Sequence, residues 1–368
     1  MKRFDVCVRG SGIVGQSLAL SLARQGLQVA LVSDAAGTPR EDVRAFALNA
    51  ASVELLRGLK VWDALPPHAA TAVYDMHIEG DSPVGLLEFS AWQARFSELA
   101  WITDAAVLEQ ALASAIRFAP HITLMSSPAE AALTALCEGK ASSAREALGV
   151  VWDQQDYGHR AIAARLVAEK VHANTARQWF RQPDVLALLP FDSPEPERSY
   201  ALVWSVPEVR AQELLALDAP AFERALQEAT AGSCGPLCLA GERASWPLML
   251  ARAQAWCGTG WVLLGDAAHV VHPLAGQGLN LGLADVAALA AVVSEREPWR
   301  DLGDARLLRR YERQRKLPTV AMGQLTDGLL RLFSHERPAL RELRNRGMTL
   351  VNHLPPLKRW LTSRALGS

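Results

Sequence analysis

The first 32 residues follow an order of apolar and glycine-rich stretches that predicts a βαβ unit. Residues 5–8 (DVCV) form a short β-rich run that leads into glycines. Residues 13–26 then place apolar side chains at helical spacing and end at Gly26, a typical residue after a helix C-terminus. The apolar run LQVALV at 27–32 predicts a buried strand. Strand, helix and strand in this order are the unit of a parallel α/β sheet.

Further along the chain the pattern changes between helical and strand periodicity. Helical spacing predicts helices in four segments: 48–65, 105–116, 218–232 and 279–293. From about 150 to 210, short apolar runs separated by polar turns predict an antiparallel sheet. Residues 260–269 predict a buried strand that runs into a turn, and the chain after about residue 300 is helical and basic. The sequence therefore predicts an α/β fold with a Rossmann-like domain, an antiparallel β-sheet domain and a C-terminal helical segment.

Composition narrows the class of protein. Half of the 368 residues are apolar, which suits two or three domains with sizeable cores. The net charge of -1 argues against a dedicated nucleic-acid binder. The cysteines are five in number and scattered: Cys7, Cys137, Cys234, Cys238 and Cys257. We therefore expect no metal site and a reducing, cytoplasmic location, with no apolar run of the roughly 20 residues that a transmembrane helix needs.

A glycine motif lies between the first predicted strand and helix. Gly10, Gly12 and Gly15 form G-x-G-x-x-G, with Ile13 and Val14 between the last two glycines. The first glycine permits the tight turn, the second lets the backbone approach a diphosphate, and the third lets helix and strand pack closely. The helix N-terminus adds a partial positive charge. These five residues therefore predict a dinucleotide-binding turn.

The residues beside this motif are less typical of a dinucleotide site. An acid that binds the ribose is expected at the end of the second strand, where Ser33 stands and Asp34 follows. Asp34 is the candidate for that contact, and the alternative is a solvated strand end. Arg9 is unusual because a small apolar residue normally precedes the first glycine.

A second motif, GDAAHVVHPLAGQGLN, occupies residues 265–280. It places Asp266 at the carboxyl end of a buried strand, where open α/β sheets bind ligands. The turn that follows leads into a helix near Asn280, whose first N–H groups are free to face a ligand. His269 and His272 have no third metal ligand in view, so packing roles are expected for both.

The segment 265–280 resembles the second FAD-binding motif of the class A flavoprotein monooxygenases, which share the para-hydroxybenzoate hydroxylase fold. The resemblance implies FAD as cofactor and NAD(P)H as co-substrate. It also implies that Asp266, beside Gly265, binds the ribitol of FAD. The turn of Ala275, Gly276, Gln277 and Gly278 would lie against the flavin ring, and Pro273 would line its reactive face. The implied catalytic residues are Pro273, Gly276 and Gln277, and the implied cofactor-binding residues are Gly278, Leu279 and Asn280.

Nearly the whole chain resembles one branch of that family, the ubiquinone-biosynthesis hydroxylases of polyprenylated phenols. The matching segments are VRAFALNAASVELLRGLKVWDAL, YGHRAIAARLVAEKVHANTARQWF, LTDGLLRLF and LRNRGMTLVNHLPPLKRWLTSRALG. Arg44 matches an arginine that approaches the cofactor, the alternative being a surface residue. Glu138 and Gly139 replace the usual Asp-Gly pair of the middle motif, and Ala106 stands where arginine is usual. The segment at 121–136 is also shorter than usual.

The resemblance implies three regions. They are a discontinuous FAD-binding domain (1–70, 98–150 and 241–298), a substrate domain (71–97 and 151–240) and a helical segment (299–368). In the implied reaction, NAD(P)H reduces FAD, and O2 then forms a flavin hydroperoxide that delivers oxygen to an aromatic ring. A polyprenyl phenol would need an apolar tunnel. Its candidate walls are Trp179, Phe180, Leu188, Leu189 and Phe191, the alternative for each being an ordinary core position.

The chain from Arg331 onward carries eight basic residues against two acidic ones. This composition favours either peripheral contact with the inner membrane or a partner in a quinone-biosynthesis complex, or else a solvated helical face. Two further hypotheses remain open. A flavin-free nicotinamide dehydrogenase would leave residues 265–280 unexplained, and a non-catalytic subunit of a biosynthetic assembly would account for Ala106 and Glu138.

Overall fold

The computed structural model describes residues 4–33, 42–80, 86–271 and 277–334. The predictions for Asp34, Pro273 and Gly276 lie outside the described residues. So do those for His272 and for the basic tail beyond residue 334.

Strands account for much of the described chain. In chain order they are β1 (Phe4–Arg9), β2 (Val29–Val32), β3 (Ala45–Leu48), β4 (Ala70–Val73), β5 (Asp75–Glu79), β6 (Leu86–Ser90), β7 (Ala100–Asp104), β8 (Ile122–Met125), β9 (Ala131–Leu136), β10 (Trp152–Ala168), β11 (Thr175–Arg181), β12 (Asp184–Phe191), β13 (Ser199–Pro207), β14 (Leu237–Leu239), β15 (Ala244–Ala253), β16 (Cys257–Gly258), β17 (Trp261–Leu263) and β18 (His269–Val270).

Helices connect and cover these strands. They are α1 (Ile13–Ala23), α2 (Ala50–Gly58), α3 (Ala91–Ala94), α4 (Ala105–Arg117), α5 (Ser143–Ala147), α6 (Glu208–Ala216), α7 (Ala219–Ala229), α8 (Gln277–Ser294) and α9 (Ala305–Ser334). Asp218 caps α7, because its side chain accepts a hydrogen bond from the Ala221 N–H at 2.9 Å. No helix in the described residues is long and apolar enough to cross a membrane.

The first sheet has the strand order β16-β17-β9-β1-β2-β8 and is parallel except at β16. Its centre confirms the predicted βαβ unit of β1, α1 and β2. Because β1, β9 and β17 are parallel neighbours, their carboxyl ends meet at one edge of the sheet. This edge gathers the glycine turn, the loop that begins at Cys137 and the turn that contains Asp266.

The second sheet confirms the predicted antiparallel layer. Its order is β18-β15-β10-β13-β12-β11-β5-β6, with β14 also on β10, and only β11 and β5 pair in parallel. Residues 152–168 form one strand rather than the short strands that were expected. The polar stretch near its start stays in register with β15, and a bulge between Asp156 and His159 absorbs the irregularity.

The predicted domain boundary at residue 241 differs from the strand pairing. Residues 244–253 form β15, which pairs with β10 in the second sheet rather than joining the first. No strand was expected in this segment from the sequence alone. A small third sheet, β3-β7-β4, lies beside the second sheet and shares a core with it, in which Val73, Ile102 and Phe191 are buried.

Candidate cofactor and substrate site

The glycine turn has the close contacts that its three glycines require. Gly10 has φ +107°, and a Cβ there would lie 2.3 Å from the Cys137 carbonyl oxygen. A Cβ on Gly15 would lie 1.9 Å from the Gly10 carbonyl oxygen. At Gly12, by contrast, a Cβ would meet no described atom within 4 Å. Gly12 is the N-cap of α1 and provides no side-chain hydrogen bond to the helix. Among the described residues, none covers the helix N–H groups at Gly12, which fits a diphosphate.

The two sequence motifs, about 250 residues apart, meet at Val14. A Cβ on Gly265 would lie 3.2 Å from Val14 Cγ2, and one on Gly282 would lie 2.7 Å from the same atom. The start of α1 thus packs directly against the Asp266 turn and against α8. A single elongated nucleotide can therefore reach from the glycine turn to the Asp266 turn.

Asp266 follows β17 in a short 3-10 turn over Gly265–Ala267. Its side chain is accessible to solvent, as expected at the wall of an open cleft. Burial by the surrounding protein nevertheless raises its pKa, against the opposing influence of His269, Lys140 and Arg44. An accessible carboxylate in this position is suited to accept hydrogen bonds from ligand hydroxyl groups.

Replacing Asp266 with asparagine is expected to stabilise the protein without cofactor at neutral pH. The folded state raises the pKa of this aspartate above its ordinary value of 3.8, so ionisation costs stability as pH rises through that region. Asparagine removes this cost, and the difference should vanish as pH falls below 3.8. Urea unfolding at pH 7 and pH 3 measures it. An Asp266→Asn protein less stable than wild type at pH 7 would contradict the prediction, and Asp301→Asn, at an exposed aspartate, is the control.

A buried ionic network supports the Asp266 turn. Asp285 of α8 is fully buried and accepts hydrogen bonds from the Gly265 N–H at 3.0 Å and from Arg315 Nε at 2.7 Å. His269 Nε2 lies 2.7 Å from the same carboxylate. Burial opposes ionisation of Asp285, but His269 and Arg315 outweigh it and lower its pKa. The carboxylate therefore joins α8, α9 and the cofactor-site turn.

Sequence reasoning missed Asp285 and Arg315. A signal for Asp285 was present, because it is the only charged residue in the apolar helix that spans 279–293. His269 is buried and stacks on Trp256 with ring centroids 4.8 Å apart, which agrees with the packing role expected for it. Among the described residues, no cluster of three His, Cys, Asp or Glu side chains could hold a metal ion.

The start of α8 is tied to the first domain by Asn280. Its Oδ1 accepts hydrogen bonds from the Asn49 N–H at 3.0 Å and from Ser52 Oγ at 2.7 Å. Its Nδ2 donates to the Ala47 carbonyl at 2.7 Å. These bonds show that the side chain positions the helix start, while its contact with a cofactor stays a prediction. A Cβ on Gly278 would meet no described atom within 4 Å.

Leu279 and Arg44 differ in how they relate to the cleft. Leu279 packs against the core of the first domain. Arg44 Nη2 donates to Asp42 Oδ2 at 2.6 Å, and this pairing raises the pKa of Arg44 against the effect of burial. Asp266 lies near enough to raise that pKa further. Arg44 is therefore near the predicted ribitol site, and its contact with a cofactor stays a prediction.

The middle motif lies beside the glycine turn. Glu138 Oε1 forms an ion pair with Arg9 Nη2 at 2.7 Å, and Gly139 follows with φ +75°. Arg145 Nη1 donates to the Ala267 carbonyl at 3.1 Å, so this segment also contacts the Asp266 turn. At the end of β2, Ser33 accepts a hydrogen bond from Ser11 Oγ at 3.1 Å, which places the predicted ribose position next to the glycine turn.

One face of the second sheet is turned toward the first domain. Arg165 marks this face, because its Nη2 donates to Asp104 Oδ2 at 2.7 Å and to the Arg44 carbonyl at 3.0 Å. Strand register places four partly exposed apolar side chains on the same face, with the polar side chain of Gln178 between two of them: Ile78, Val185, Ala187 and Val203. A partly open apolar face beside the cleft is suited to bind an apolar substrate.

Two of the predicted tunnel walls are wrong. Trp179 and Leu188 point to the opposite face of the sheet, where they are buried under α6 and α7. Leu189 and Phe191 lie on the correct face but pack into the core shared with the third sheet. Phe180 shares the face of Val185 and is 8% exposed. Apolar alternation alone could not distinguish the two faces, because β12 carries apolar side chains on both of them.

Known proteins match this sequence over nearly its whole length. The family described as FAD binding domain matches residues 3–116 and 126–325. The chain is 30% identical to the ubiquinone hydroxylase UbiL of Rhodospirillum rubrum, over 99% of this chain and 90% of that protein. It is 29% identical to the 3-demethoxyubiquinol 3-hydroxylase of Escherichia coli, over 99% of this chain and 98% of that protein.

Solved structures share the fold at low sequence identity. The p-nitrophenol 4-monooxygenase PnpA of Pseudomonas putida superposes with a TM-score of 0.80 at 16% identity, covering 100% of this chain and 99% of that one. PqsL of Pseudomonas aeruginosa, described as a probable FAD-dependent monooxygenase, gives 0.76 at 20% identity, covering 94% and 99%. The open glycine turn and the accessible Asp266 carboxylate fit an FAD nucleotide. The chain belongs to the FAD-binding family of flavoprotein monooxygenases.

Proposed function

We propose that this protein hydroxylates the aromatic ring of a polyprenylated phenol in ubiquinone biosynthesis, with FAD as cofactor and NAD(P)H and O2 as co-substrates. The convergence of the two FAD motifs at Val14 is the observation that carries the proposal. The names of the Rhodospirillum and Escherichia relatives support the substrate class. The partly exposed apolar face beside the cleft is consistent with an apolar substrate.

The protein's own residues bind and orient the cofactor. In the proposed arrangement, the N–H groups at Ile13 and Val14 hold the diphosphate, and Asp266 accepts hydrogen bonds from the ribitol. The positive end of the α8 dipole, near Gln277, favours negative charge on the flavin ring. When bound, FAD supplies the redox chemistry by which electrons from NAD(P)H and one oxygen atom of O2 hydroxylate the ring. The apolar side chains of the sheet face would lie beside the reacting ring and disfavour water there.

The other two hypotheses fit less well. A flavin-free dehydrogenase would use only the glycine turn. The Asp266 turn, however, is held by Asp285 and packs directly against the glycine turn at Val14. For a non-catalytic subunit, the support was the short segment at 121–136, Ala106 and Glu138 in place of aspartate. Glu138 is held by an ion pair and further hydrogen bonds, so its longer side chain is accommodated.

A polyprenylated substrate partitions into the membrane, so the proposal includes access to a membrane surface. Peripheral contact with the inner membrane, or with a quinone-biosynthesis complex, is the form of access that the basic tail suggests. Within the described residues, one side of α9 continues this basic character with Arg306, Arg309, Arg313 and Lys316, of which Lys316 pairs with Glu312 on the same side.

The purified protein is expected to be yellow and to oxidise NAD(P)H faster when a prenylated phenol is added. The product should be heavier than the substrate by one oxygen atom. Visible absorption, NAD(P)H consumption and mass spectrometry of the product measure these outcomes. The Asp266→Asn protein, which is expected to fold, serves as the control and should bind FAD at least about tenfold more weakly. Wild-type protein that stays colourless at saturating FAD would refute the proposal.

A further inference from the structure

Two unusual residues of the sequence, Arg9 and Glu138, form an ion pair in the structure. Their Nη2 and Oε1 atoms lie 2.7 Å apart although the residues are 129 positions apart in the chain. Register explains the contact, because β1 and β9 are parallel and Arg9 is paired with Leu136. Each residue departs from the usual pattern of its own motif, and together they compensate in charge.

The carboxylate of Glu138 is fixed by more than Arg9. Its Oε2 accepts hydrogen bonds from Ser142 Oγ at 2.7 Å and from the Ala144 N–H at 3.1 Å. The Glu138 side chain is only 18% exposed, and that of Arg9 is 26% exposed. A carboxylate held in this way cannot turn toward bulk solvent to escape a nearby negative charge.

The pair lies beside the turn that would hold the FAD diphosphate. Gly10 directly follows Arg9, and its backbone is so close to Cys137, the neighbour of Glu138, that a Cβ would lie 2.3 Å from the Cys137 carbonyl oxygen. The diphosphate carries negative charge, as Glu138 does. An unpaired Glu138 would repel it across a partly buried site, where charges are screened less than in water.

We propose that Arg9 is a positioning residue for cofactor binding: it holds Glu138 and offsets its charge at the glycine turn so that the FAD diphosphate can bind. The proposal rests on the placement of the diphosphate at that turn, as proposed above. Arg9 and Glu138 then act as one unit: removal of the arginine alone leaves an excess negative charge, and removal of both restores a neutral site.

A double-mutant cycle tests the unit, with Arg9→Met, Glu138→Gln, the double variant and Arg9→Lys. Both neutral side chains keep roughly the length of those they replace. The readout is the FAD dissociation constant, from quenching of flavin fluorescence at low and high salt, with urea unfolding of each apoprotein beside it. Arg9→Met is expected to weaken FAD binding by about tenfold at low salt, less at high salt, through excess negative charge. Arg9→Lys, Glu138→Gln and the double variant should bind FAD at least about as tightly as wild type.

The direction in which Glu138→Gln changes FAD affinity distinguishes charge compensation from a purely structural pair. If that variant and Arg9→Met both weaken FAD binding and the double variant binds no better, the pair is only a structural tie and the proposal is overturned. Unchanged affinity in Arg9→Met overturns it as well. Gly12→Ala distinguishes a failure of the proposed diphosphate site from a failure of the proposal for Arg9 and Glu138. If Arg9→Met and Gly12→Ala both leave FAD affinity unchanged, the diphosphate does not bind at this turn. If Gly12→Ala weakens FAD binding and Arg9→Met does not, the diphosphate site is supported and only the proposal for Arg9 is refuted.

Discussion

The Asp285→Asn protein is expected to lose about 3–5 kcal/mol in its free energy of unfolding. Asparagine keeps the size of the side chain but cannot serve as the anion between His269 and Arg315. Both donors would then stay near the core without their charged partner, and the Gly265 N–H would lose its anionic acceptor. Because Gly265 precedes Asp266, FAD affinity should fall together with stability. Urea unfolding of the apoprotein measures the first effect and flavin titration the second.

The pH dependence of this loss identifies its cause. The folded state lowers the pKa of Asp285, so the carboxylate contributes stability above its ordinary value of 3.8 and loses it as pH falls through the lower folded value. The gap between wild type and Asp285→Asn should therefore be full at neutral pH and shrink below pH 3.8. Glu295→Gln, at an exposed acid just beyond α8, is the control and should change stability by about 0.5 kcal/mol or less. A neutral-pH gap under about 1 kcal/mol would show that the network is not needed for stability.

The Gly15→Ala protein is expected to lose stability, whereas the Gly12→Ala protein is expected to lose FAD affinity. At Gly15 the new Cβ would lie 1.9 Å from the Gly10 carbonyl oxygen, so the helix and the turn must separate. We expect a loss of about 3 kcal/mol or more in the free energy of unfolding. At Gly12 the new Cβ meets no described atom within 4 Å, so the apoprotein should keep its stability. Its methyl group would instead occupy the space of the diphosphate and weaken FAD binding at least about tenfold.

Thermal unfolding of the apoproteins and flavin titration separate these two outcomes. Gly58→Ala is the matched control, because Gly58 ends α2 and a Cβ there also meets no described atom within 4 Å. It should bind FAD as wild type does and gain up to about 1 kcal/mol of stability. A Gly15→Ala protein as stable as wild type would show that the turn can relax without cost.

Most of the cofactor-binding half could be predicted because its signals are local. Gly10, Gly12 and Gly15 lie within one turn, and strand, turn and helix follow one another in the sequence. Asp266 was recognisable because it ends an apolar strand. Resemblance to a known family then connected these motifs with FAD, which periodicity alone could not do.

The substrate half was harder to predict. The expected walls Trp179 and Leu188 belong to the core under α6 and α7, whereas Val185 and Val203 lie on the face toward the first domain. After Asp184, β12 is apolar at every position, so its pattern does not show which set of side chains faces the cleft. The register of β10 to β13 decides it, and a shift of one residue would exchange the two faces.

The sequence by itself determined the βαβ unit, the glycine turn and the Asp266 turn, because turn chemistry and periodicity act over a few neighbouring residues. Only the tertiary structure decided which distant residues meet. It placed Val14 against Gly265, Arg9 against Glu138 and Arg315 against Asp285. Such contacts depend on strand order and helix packing across the whole chain, and no local pattern in the sequence encodes them.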